Sequence, residues 1–139
     1  MTTAYFDASA FVKVLVDEID SDLAATLWDA STTVVSNRLA YPEVSAALAA
    51  AHRAARLTTQ QLDDTETAWA GYWDCVRPID LTDTVARAAA QASRSYALGG
   101  ADGVHLASAI AVAAADVVVV TWDRRLSAGA SAAGLSVAP

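Results

Sequence analysis

Four consecutive valines, Val117 to Val120, constrain the fold more than any other segment of the chain. β-Branched residues without polar alternation suit a strand covered on both faces, the situation of a parallel sheet between helix layers. Shorter apolar runs at residues 4–7, 33–36, 76–79 and 135–138 read as further strands, the first ending in Asp7. Between them lie helical segments. Ser9 stands as an N-cap before residues 10–15, and residues 21–30 follow as a second helix. Residues 39–55 carry Pro42 in the first turn, where its missing N–H costs least, and Val44, Ala47, Leu48 and Ala51 share one face. Thr58 and Thr59 cap a helix to Trp73, and Thr82 or Asp83 caps one to Tyr96. Gly99-Gly100 precedes a helix over 101–114, and residues 124–133 form the last. Strands separated by helices predict an α/β fold of three layers, with a central parallel sheet of about four to five strands flanked by helices.

The 139 residues suit a single domain over 1–139, and 34 alanines favour helices with small side chains at their contacts. At 55% apolar and 18% charged residues, the chain is neither disordered nor a solvated tail. Cys75 has no partner for a disulfide and reads as a small buried apolar residue. The start, Met1-Thr-Thr-Ala, has no basic stretch, and the apolar region 104–121 is broken by His105 and Asp116. A soluble, cytoplasmic protein without a membrane segment is the expectation. Sixteen acids against nine Lys or Arg give a net charge of −7, which argues against non-specific nucleic-acid binding through overall charge. It does not exclude a nucleic-acid enzyme whose carboxylates gather around metal ions.

Ligands of such sheets bind outside the carboxyl ends of the strands. Asp7 closes the first strand and Asp123 follows the valine run, while Glu43 and Asp102 open helices beside Pro42 and Gly99-Gly100. Singly, Glu43, Asp102 and Asp123 are ordinary helix caps or turn residues, as Asp63, Asp64 and Asp83 are taken to be. Jointly, the four acids can converge on one rim of the sheet. Clustered carboxylates raise each other's pKa unless a counter-charge is present. Hard divalent cations supply it, and two such ions can stabilise both the attacking and leaving oxygens of phosphodiester cleavage. The chemistry suggested is metal-dependent phosphoryl transfer or hydrolysis. Asp7 as a phosphatase nucleophile fits poorly, because Ser9 stands where a second acid is wanted.

Four segments carry a resemblance to a known family. They are Tyr5-Phe-Asp-Ala-Ser-Ala-Phe-Val-Lys13, Leu39-Ala-Tyr-Pro-Glu-Val-Ser-Ala-Ala-Leu48, Leu98-Gly-Gly-Ala-Asp-Gly-Val-His-Leu-Ala-Ser-Ala109 and Val120-Thr-Trp-Asp-Arg-Arg-Leu126. In order and spacing they resemble the PIN-domain ribonucleases, specifically the VapC toxins of type II toxin–antitoxin systems. The resemblance implies a PIN fold and a Mg²⁺- or Mn²⁺-dependent endoribonuclease leaving 5′-phosphate and 3′-hydroxyl ends. It implies Asp7 and Asp102 as the main metal ligands, with Asp123 completing the site. Glu43 would bind a second ion or orient the attacking water. It further implies a homodimer and a cognate VapB-like antitoxin that blocks the site in a heterotetramer or larger assembly. A non-catalytic PIN-like interaction module is the competing reading, and four intact acids speak against it.

Ser9 and Thr121 match positions whose hydroxyls support the acids; the plainer readings are an N-cap for Ser9 and a β-branched strand residue for Thr121, the latter preferred. Gly103 and Trp122 bear on pocket shape only. His105, one turn after Asp102, can face the same side, but packing and a hydrogen bond are the preferred reading. Lys13, Arg124 and Arg125 can hold RNA phosphates. Trp69, Tyr72 and Trp73 form an i, i+3, i+4 stripe, read equally as core packing or as a groove for an antitoxin segment or second subunit.

Overall fold

In the computed structural model, which describes residues 2–113 and 116–139, β1 (Thr3–Phe6) is the central strand of one sheet. Its neighbours are β2 (Thr33–Asn37) on one side and β4 (Val117–Val120) on the other, with β3 (Val76–Ile79) and β5 (Ser136–Ala138) at the edges. All pairings are parallel. The order β3-β2-β1-β4-β5 means that the chain builds outward from β1 in one direction and then returns to build in the other. The gap between the ends of β1 and β4 is therefore the switch point, where open α/β sheets leave a crevice.

Side chains alternate across the sheet, so each strand supplies both layers. Ala4 and Phe6 of β1, with Val34, Val76 and Val120, face α1 (Ala8–Leu15), α2 (Ser21–Ala30), α3 (Ala40–Arg53) and α4 (Thr59–Trp73). Tyr5, Val35, Val117 and Val119 face α5 (Asp83–Tyr96), α6 (Gly100–Ala111) and α7 (Arg124–Ala132). The expected three layers and five parallel strands are present. None of the described helices is long and apolar enough to cross a membrane.

The first layer is locked by aromatic rings. Trp69 is fully buried, 4.8 Å between centroids from Phe11 and 5.5 Å from Tyr41 and Trp73. Tyr72 and Trp73 pack against this cluster from its edge, and Trp28 reaches Tyr72 at 5.0 Å. Trp69 is thus a core residue, and only the rims of Tyr72 and Trp73 remain for a partner.

Several local expectations shift. Asp7 caps α1 in place of Ser9, because the strand's last turn leaves its backbone extended and its carboxylate within reach of the Ala10 amide. In α3 the buried positions are Ala40, Val44, Leu48 and Ala51, while Ala47 points to solvent. Thr58 and Gln61 form a reciprocal capping box on α4, so Asp63 and Asp64 are exposed residues of the helix body. Asp83 sits in the first turn of α5, under the Thr82 cap, and pairs with Arg87. Cys75 is exposed, since it falls in the turn between α4 and β3, where no helix covers it. The helix expected to reach residue 114 ends at Ala111, and residue 114 lies outside the described residues.

Gly103 does more than shape a pocket. A Cβ there would lie 2.7 Å from the Ala89 carbonyl oxygen and would collide with the Ser93 hydroxyl, so α5 and α6 approach closely only because the side chain is absent. Gly103→Ala must push the helices apart beside Asp102. It is expected to cost about 1–3 kcal/mol of stability, measurable by urea unfolding.

Candidate active site

The crevice at the switch point gathers the acids singled out in the sequence. Asp7 leaves the end of β1 and is 4% exposed. Its Oδ1 accepts from the Ser9 hydroxyl at 2.7 Å and the Ala10 amide at 3.1 Å. Its Oδ2 accepts from the Thr121 hydroxyl at 2.7 Å. Burial pushes the Asp7 carboxyl above the usual carboxylate range, against the opposing pull of Ser9, His105, Thr121 and Ala10.

Ser9 and Thr121 also tie neighbouring segments to this carboxylate. The Ser9 oxygen accepts from the Trp122 amide at 2.9 Å, and the Thr121 oxygen accepts from the Asp123 amide at 3.0 Å. Thr121 lies just beyond β4, so its hydroxyl is a crosslink between two acids and not a strand filler. Trp122 extends the tie outward, its indole N–H donating to Asp20 at 3.0 Å and holding the α1–α2 loop against the rim.

Asp123 caps α7, its Oδ1 accepting from the Arg125 and Leu126 amides at 2.9 and 3.1 Å. The capping reading and the site reading of Asp123 are therefore compatible: one oxygen fixes the helix start and the other is left over. Glu43 is in the first turn of α3 and Asp102 in the first turn of α6. The Asp102 carboxyl is raised first by partial burial and then by Asp123, Asp7 and Glu43, with His105 acting in the other direction. Asp7, Glu43 and Asp123 thus all act on the Asp102 carboxyl, from two strand ends and, with Asp102 itself, two helix starts on opposite layers.

His105 is 2% exposed and links this spot to the interior. Its Nε2 meets Glu43 Oε1 at 2.6 Å and its Nδ1 meets the Tyr5 hydroxyl at 2.7 Å. The expected packing role holds, but the ring also touches a site carboxylate. Sequence reasoning misses Tyr5 as a partner of the site. Its i, i+2 relation to Asp7 and the i, i+3 relation of Asp102 to His105 were the available signals.

Of the basic residues, Lys13 does not point into the crevice; its ammonium bonds the Ile19 carbonyl at 2.9 Å and pairs with Glu18 at 3.3 Å. Arg124 and Arg125 are exposed in the first turn of α7. Arg124 lines a depression of about 480 Å³ with Thr121, Trp122, Asp123, Ser127 and Ser131. Tyr41, Pro42, Ala70 and Trp73 line a separate, more apolar one of about 380 Å³.

Because the fold raises Asp102's pKa, the stability this group contributes is full below its ordinary value and is lost as pH climbs through the raised one. Asp102→Asn removes the ionised form. It is expected to raise the melting temperature of metal-free protein at neutral pH, with the gain vanishing below about pH 4. Circular dichroism melts at the two pH values check this.

Comparison with known proteins agrees with the geometry. The PIN domain model matches residues 4–131. Ribonucleases VapC45 and VapC49 of Mycobacterium tuberculosis are each 55% identical over 139 residues, covering 100% of this chain and 96% of theirs. Among solved structures, VapC20 of M. tuberculosis, a sarcin-ricin loop cleaving toxin, superposes with a TM-score of 0.64 at 16% identity, over 95% of each chain. VapBC2 from Rickettsia felis, bound to a DNA fragment from its promoter, gives 0.64 at 11% identity over 98% of this chain and 97% of that one. The chain belongs to the PIN-domain family and, within it, to the VapC ribonucleases.

Proposed function

We propose that the chain, acting as a single domain, is the toxin of a type II toxin–antitoxin pair and hydrolyses RNA phosphodiester bonds with the help of Mg²⁺ or Mn²⁺. The observation that carries this reading is the opposition to Asp102's ionisation by Asp123, Asp7 and Glu43 at one crevice. A carboxyl whose ionisation three neighbouring acids oppose is a standing demand for positive charge.

The donor set suits a hard divalent cation. Every free donor is a carboxylate oxygen, since both His105 nitrogens are engaged. Among the described residues no three such groups form a preassembled cage. Asp7, Asp102 and Asp123 would hold the ion, with Glu43 beside them. When bound, it would supply Lewis-acid stabilisation of charge on the phosphate and acidify a water.

The chain's own residues do the rest. Asp7, clamped by Ser9 and Thr121, fixes one edge of the site with little freedom to move. Glu43 keeps one oxygen for His105 and offers the other to the attacking water, taking its proton. The water oxygen bonds to phosphorus as the bond to the 3′ oxygen breaks; the departing 3′ oxygen takes a proton from solvent, which leaves a 5′-phosphate and a 3′-hydroxyl. Arg124 and Arg125, exposed next to Asp123, contact flanking phosphates.

An antitoxin partner, VapB-like as the family relation suggests, covers this rim. The half-exposed edge of Tyr72 and Trp73 offers apolar surface for its docking, and a homodimer assembling into a heterotetramer or larger complex accommodates two such segments. Incubating partner-free protein with total bacterial RNA is the direct test. Discrete cuts are expected with Mg²⁺ or Mn²⁺, none with EDTA, and at least about a 10²-fold loss in Asp7→Asn. Cutting that persists in EDTA or in Asp7→Asn would overturn the proposal.

A further inference from the structure

We propose that His105, backed by Tyr5, is a positioning residue for Glu43; the inference rests on the nuclease reading above. The donor and acceptor roles follow from the partners. The Tyr5 oxygen accepts the Asn37 amide at 3.0 Å and lies 2.7 Å from His105 Nδ1, to which we assign its hydrogen. With Nδ1 accepting, the ring carries its hydrogen on Nε2, and this donates to Glu43 Oε1 at 2.6 Å.

The relay is anchored on four elements. Tyr5 belongs to the central strand and is fully buried, meeting the His105 ring edge-on at 5.8 Å. Asn37, at the end of β2, accepts the Leu39 amide at the entry to α3 and donates to Ser108 of α6 at 3.0 Å. The chain from Tyr5 to Glu43 therefore spans both helix layers across the sheet's end, and packing fixes Tyr5 and His105 within it.

A purely structural role does not account for the last link. The Glu43 side chain is 29% exposed and has water available, so it does not need a buried imidazole for solvation. In the first turn of α3, and repelled by Asp102, it would swing outward if left free. The Nε2–H draws it inward and reserves its second oxygen for the chemistry.

The test uses two variants that separate the donor from the bulk. His105→Leu removes the donor, whereas His105→Gln retains an N–H near the Nε2 position. With an RNA oligonucleotide containing a cut site from the total-RNA digest, His105→Leu is expected to slow single-turnover cleavage tenfold or more, by about the loss of one charge-assisted hydrogen bond. RNA affinity in EDTA stays within about twofold, and His105→Gln recovers the rate to within about threefold. Equal losses in both variants, or a matching loss of RNA affinity, would overturn the proposal.

A second measurement needs neither metal nor RNA. The chain has two histidines, so His52→Gln leaves only the His105 ring for two-bond ¹H–¹⁵N correlation. The Nε2–H form is expected, and Tyr5→Phe should turn it into a mixture of tautomers. A ring protonated on Nδ1, or one unmoved by Tyr5→Phe, would contradict the relay even if His105→Leu fails to fold. If the parent protein cuts no RNA, the nuclease reading fails while the ring signal still decides the hydrogen bond.

Discussion

The structure depends on a buried carboxylate, Asp7, held at the end of its central strand. Taking an ionised acid out of water costs several kcal/mol unless donors replace the lost hydration. Three replace it here: the Ser9 and Thr121 hydroxyls and the Ala10 amide. Each donor also fixes something else. The amide starts α1, Ser9 holds Trp122, and Thr121 holds the amide of Asp123. The exit of β1, the exit of β4 and the start of two helices are thereby set relative to one point. The donors do not fully offset the burial, since the carboxyl remains raised.

That residual cost has a location, the switch point of the sheet. The strand order puts β1 and β4 side by side while their following helices go to opposite layers. Glu43 arrives from one layer and Asp102 from the other. No local rule of helix or strand formation requires four acids to meet there, and the fold is destabilised at neutral pH by bringing them together. Such strain at a rigid crevice is typical of functional sites, where a cation or a developing charge relieves it.

The fold was legible where local pattern and packing agree. Val117–Val120 announced a covered parallel strand, and the strand-end and helix-start acids announced the rim. Elsewhere tertiary packing decided. Ala47 shares the spacing of Val44 and Leu48, but α3 turns a narrower stripe inward than the periodicity allowed. Cys75 looked apolar and small, and a turn left it exposed. Lys13 stood in the opening motif, yet the Glu18 carboxylate and Ile19 carbonyl captured it. Thr121 looked like a strand residue because its β-branch hides a hydroxyl whose partner is 114 positions away. The Tyr5–His105 contact spans 100 positions, and nothing in either segment alone encodes it.

The central claim is that the carboxylates at the strand ends and helix starts around Asp102 form a divalent cation site. Anomalous diffraction from crystals soaked in Mn²⁺ tests it most directly. The account predicts a manganese peak in the crevice with Asp7, Asp102 and Asp123 carboxylate oxygens at about 2.0–2.3 Å, as hard-cation coordination requires. Manganese found only at exposed acids such as Asp63 or Asp64, with the crevice vacant, would contradict it.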